Sequence, residues 1–85
     1  MPSRFPARGT PTRRVAAGSL VTVVADPGAA GEIELTGFGL RTGADALVPA
    51  RFDVLARATD VVFHPPSGRA RVLGRIAVRP RPRGG

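Results

Sequence analysis

Residues 31–40 read Gly31-Glu32-Ile33-Glu34-Leu35-Thr36-Gly37-Phe38-Gly39-Leu40. From Glu32 to Thr36, polar and aliphatic side chains alternate strictly. A period of two places Ile33 and Leu35 on one face and Glu32, Glu34 and Thr36 on the other, the pattern of a strand over 32–36 with one face buried. Gly37-Phe38-Gly39 then ends the strand, because glycine supplies backbone conformations that a continuing strand cannot use.

The same signals recur on both sides. Residues 19–25 (Ser-Leu-Val-Thr-Val-Val-Ala) are rich in β-branched side chains and read as a strand, broken by Asp26-Pro27-Gly28. Residues 40–49, with Gly43, Asp45 and Pro49, read as a loop. Residues 50–56 alternate with Phe52 and Val54 inward, and 59–64 place Val61 and Phe63 on one face and Val62 and His64 on the other. Pro65-Pro66-Ser67-Gly68 is a turn. Residues 70–78 form the closing strand, with Gly74 marking a bulge. No segment carries a helical period. Short strands between turns predict an all-β fold, a small sandwich or barrel around Val21, Val23, Ile33, Leu35, Phe52, Val54, Val61, Phe63, Ile76 and Val78.

Charge divides the chain. Thirteen arginines face six acids in 85 residues, with no lysine, for a formal net charge of +7. Arg4, Arg8, Arg13 and Arg14 precede the strands, and Arg79, Arg81 and Arg83 follow them; the stretch 15–78 balances to zero. Pro2, Pro6, Pro11, Pro80 and Pro82 share these ends. Proline fixes φ and removes a donor, so residues 1–13 and 81–85 read as flexible basic tails flanking a domain at 14–80. The seven arginines are the candidate contacts to an anionic partner.

The chain has no cysteine and a single histidine, His64. That excludes a disulfide framework, a thiolate metal site, a cysteine nucleophile and a multi-histidine cage. Ser19 and Ser67 lack the partners of a Ser-His-Asp arrangement, and the glycines do not form a phosphate loop. Paired carboxylates at Glu32 and Glu34 do acid/base work only in a cleft, and their strand position reads as a solvated face. Phe38 reads as a cap on the core; the alternative is that it is exposed on its loop and, with Phe5 in the tail, serves as an aromatic anchor for a protein contact. No run reaches the roughly 20 apolar residues of a membrane span. Residues 12–25 admit two readings. Thr12-Arg13-Arg14 before Val15–Ala25 has the shape of a twin-arginine export signal, while Gly18, Ser19, Thr22 and the valine-rich second half favour a strand.

Taken in order, these segments resemble a bacterial cupredoxin-like domain. Residues 31–40 are similar to a family segment that runs roughly Asp-Glu-Val-His-Val-His-Gly-Tyr-Asp-Leu. Arg14-Val15-Ala16-Ala17-Gly18 followed by the strand to Val24 resembles the family's basic opening. Ala50–Val54, Val61–Gly68 and Leu73–Pro80 resemble its later strands, so that the likeness spans about residues 13–80.

The resemblance implies a Greek-key β-sandwich, an exported or periplasmic location, and in the family at large a copper site of histidines and a cysteine. Here the family's two strand histidines fall at Glu34 and Thr36, and no thiolate exists. The expected function is therefore a non-enzymatic domain that has lost its copper site, without cofactor, acting as a protein-binding or accessory module. Two alternatives stand beside it: a weak copper-binding relative using His64 with a carboxylate such as Glu34, and a small basic nucleic-acid-binding protein acting through its arginine tails.

Overall fold

The computed structural model describes residues 2–80. Eight strands run in chain order: β1 Pro2–Phe5, β2 Thr12–Ala16, β3 Leu20–Ala25, β4 Gly31–Leu35, β5 Leu40–Ala44, β6 Ala50–Leu55, β7 Thr59–His64 and β8 Arg71–Arg79. They make a three-stranded sheet in the order β1-β3-β6 and a five-stranded sheet in the order β2-β8-β7-β4-β5. Both sheets are mixed. The β1–β3 and β2–β8 pairs are parallel, and the others are antiparallel. No helix among the described residues is long and apolar enough to cross a membrane.

The alternation read in the sequence decides which faces meet. Val21, Val23 and Phe52 from the smaller sheet pack with Ile33, Leu35, Val61, Phe63, Leu73 and Ile76 from the larger one. Fully burying one such side chain contributes roughly 1.5–3 kcal/mol. Val54 is half-buried against this core, while Glu32 is exposed and Glu34 only partly covered on the opposite face of β4.

The structure departs from the sequence reading at both of the chain's weak signals. Residues 40–44, read as loop, form edge strand β5, paired from Leu40 opposite Leu35 to Ala44 opposite Gly31. One face of β5 is solvated and Gly43 adds no side chain, so its alternation is too faint to read. The Gly37-Phe38-Gly39 break is the hairpin turn: Phe38 N–H donates to the Leu35 carbonyl at 3.1 Å, and Gly39 takes a φ of +66°.

The second departure is at the N-terminus. The segment 1–13, expected to be a flexible tail, supplies β1 and the first residues of β2. Phe5 is buried to 1% exposure in the core, not presented to a partner. Pro2 opens an edge strand and Pro6 follows it, positions where a missing N–H does little harm. The Phe5 carbonyl accepts from Asp26 N–H at 2.9 Å, and the Pro11 carbonyl accepts from Arg75 N–H at 3.0 Å. The expected tail at 81–85, with Arg81 and Arg83, lies outside the described residues.

Residues 12–25 are strands β2 and β3 joined by a turn through Gly18, with φ +78°. The expected bulge is present beside Gly74. Val61 pairs with Gly74 and Val62 with Val72, so that Leu73 is the extra residue, and it turns into the core.

Candidate functional site

The strand registers bring one cluster of titratable side chains together on the outer face of the larger sheet. On β4, Glu32 stands opposite His64 of β7, and Glu34 stands opposite Arg41 of β5. His64 Nε2 lies 2.7 Å from Glu34 Oε1 and donates to it when the ring proton is on Nε2. Arg41 donates to Glu34 Oε1 at 3.4 Å and to Glu32 Oε1 at 3.5 Å, and its Nη2 lies 3.2 Å from His64 Nε2. The His64 hydrogen bond, with Arg41 behind it, holds the Glu34 carboxyl below its ordinary 4.5.

The sequence alternative that joined His64 to Glu34 is thus realised as a contact, but the contact is an ion-pair ladder with a guanidinium inside it. Among the described residues no group of three His, Asp or Glu side chains is disposed to hold a metal ion. The two positions that the resemblance assigns to copper ligands diverge in use. Glu34 belongs to the ladder. Thr36 extends the β4–β7 pairing, its Oγ1 accepting from Asp60 N–H at 3.1 Å while its N–H donates to the Asp60 carbonyl at 3.2 Å. A carboxylate and a hydroxyl beside an arginine do not suit copper, which favours imidazole and thiolate. The residues present do not fit that group.

The remaining candidates are spread out. Arg4 lies on β1, Arg8 in loop 6–11, Arg13 and Arg14 on β2, and Arg79 at the end of β8, all exposed. Arg13 Nη2 donates to the Arg4 carbonyl at 3.4 Å. Phe38 is half-buried against the core and lies 5.2 Å under the Arg57 guanidinium, which also donates to the Gly37 carbonyl at 3.0 Å. Ser19 Oγ donates to the Ala16 carbonyl at 2.6 Å, at the opposite end of the domain from His64.

A depression of about 360 Å³ is lined by Thr36, Ala58, Thr59, Asp60, Arg75 and Ile76. Its one charge pair, Arg75 Nε to Asp60 Oδ1 at 2.8 Å, is satisfied internally.

Arg41, which organises the cluster, does not stand out in the sequence. Its only signal was a cation on the segment following the Gly37-Phe38-Gly39 turn, where hairpin register returns it beside Glu34. No family model matches this chain, and no curated protein or solved structure matches it.

Proposed function

We propose that this chain is a non-enzymatic, cupredoxin-like β-sandwich that works without copper as a protein-binding or accessory module. The observation that carries this reading is the Arg41 guanidinium set against Glu34 and His64, where a metal site would need free lone pairs. A cation there satisfies the carboxylate and repels a second cation. The strand order lends support to the Greek-key part. β4 and β5 form a hairpin, β6 crosses to the other sheet in contact with β5, and β7 returns beside β4. Exposed Leu20, Leu47, Val48 and Leu55 support the binding part, since apolar side chains held in water favour a covered state.

The test is a calorimetric titration of the chain with Cu(II) and Cu(I), with His64→Ala alongside. No saturable binding is expected. Stoichiometric binding at micromolar affinity that disappears in His64→Ala would overturn the reading. It would establish instead the copper-binding alternative, which the 2.7 Å approach of His64 to Glu34 favours.

A further inference from the structure

Strand β6 is an edge. It pairs with β3 on one side, and no strand among the described residues pairs with its other side. Its outward face carries Arg51, Asp53 and Leu55, and its inward face carries Ala50, Phe52 and Val54. We infer that the β6 edge is a self-association surface. A second copy of this chain pairs its own β6 antiparallel to this one, about a two-fold axis at Phe52, and so joins the two three-stranded sheets into one.

Charge selects both the partner and the register. With Phe52 opposite Phe52 of the second copy, Arg51 faces Asp53 of the second copy and Asp53 faces its Arg51. Both cross-strand pairs are attractive. Moving the axis to Asp53 sets two carboxylates opposite each other, and moving it to Arg51 sets two guanidiniums opposite. A slip by one residue would turn the inward face outward. Within one copy, Arg51 Nε and Asp53 Oδ2 are 3.7 Å apart and both side chains are more than half exposed, so they are available to a partner.

The apolar surface agrees independently. Of the large exposed hydrophobic side chains, Leu47 (91% exposed), Val48 (61%) and Leu55 (63%) lie at the two ends of β6, and Leu20 (72%) pairs with Leu55. Antiparallel pairing lays the Leu55 end of one copy along the Val48 end of the other, at both ends of the interface. Pro49 marks where the ladder stops, since it has no N–H to donate. The other edges lack this self-complementarity. β1 and β2 carry arginines and no acid, and β5 has Arg41 and Gly43.

This deepens the protein-binding reading by naming the partner, and the two fail separately, because the copper titration reads only the other sheet.

The experiment is sedimentation velocity of the full chain over micromolar to millimolar concentration, with Arg51→Glu, Asp53→Arg and a mixture of the two. The wild type is expected to form a dimer. Each variant alone sets like charges opposite each other and should raise the dissociation constant roughly tenfold or more. In the mixture both pairs become attractive again, and dimer should return as a heterodimer. Far-UV circular dichroism melts establish that each variant is folded. Should Asp53→Arg fail to fold, because Asp53 also accepts from Thr22 Oγ1 at 2.7 Å, Arg51→Glu decides alone. A wild type that stays monomeric at millimolar concentration overturns the proposal. So does a dimer that folded Arg51→Glu leaves intact, or a mixture of folded variants that stays monomeric.

Discussion

The ring of Phe5 occupies the space that a side chain on residue 74 would need. A Cβ built on Gly74 would meet the Phe5 ring and lie 2.7 Å from the Pro11 carbonyl oxygen. The N-terminal strand and the bulged closing strand are therefore fitted to each other.

Gly74→Ala should destabilise the domain by about 1–3 kcal/mol through overpacking, and Phe5→Ala by about 3–5 kcal/mol through the cavity it leaves. Against a typical total of roughly 5–15 kcal/mol, the second is a large share. Urea titrations followed by circular dichroism would measure both. Deleting residues 1–13 should unfold much of the population, whereas a loose tail would be lost without effect.

Glu34 sets a pH dependence. Its carboxyl is held below the ordinary 4.5, first by the His64 hydrogen bond and then by Arg41. The stabilisation is fully present above that value and is lost as pH falls through the lower, folded one. Carbon-detected NMR titration should place Glu34 below 4.5 in the wild type and higher in His64→Ala. The gap in melting temperature between wild type and Glu34→Gln should close as the solution is acidified below pH 4.5. A gap that is constant with pH would show that the ladder does not couple to folding.

Asp45 shapes loop 45–49. Its Oδ1 accepts from Leu47 N–H and Val48 N–H, each at 2.8 Å, and these bonds lower its pKa. In Asp45→Ala the amides of Leu47 and Val48 should exchange with deuterium markedly faster. Asp45→Asn keeps an acceptor oxygen and should retain most of the protection. Equal exchange in all three proteins would count against the turn.

Thr59 is a buried polar group with full employment. Its Oγ1 accepts from Gly37 N–H at 2.8 Å and donates to the Asp60 carbonyl at 2.9 Å. Thr59→Val keeps the shape and strands the Gly37 donor, and should destabilise by about 1–3 kcal/mol. Thr59→Ser should recover most of that loss in the same urea titration.

The all-β class and most of the core were legible in local pattern alone. Strict alternation in 32–36 and 59–64 is a local property, and it assigned Ile33, Leu35, Val61 and Phe63 to the interior without reference to any neighbour. The missing thiol settled the blue-copper question in the same way, by chemistry that no folding can supply.

Strand pairing emerged only from the folded arrangement. Nothing local in Ser3-Arg4-Phe5 says that a parallel partner, β3, waits about twenty residues along. The prolines around that stretch read as disorder until each is seen at an edge or in a loop. Arg41 is an ordinary cation until the hairpin register sets it between Glu32, Glu34 and His64, and Arg51 and Asp53 are ordinary surface charges until β6 is known to be an edge. Burial follows from side-chain chemistry at short range. Register and edges follow from contacts between distant segments, and a single sequence does not display those.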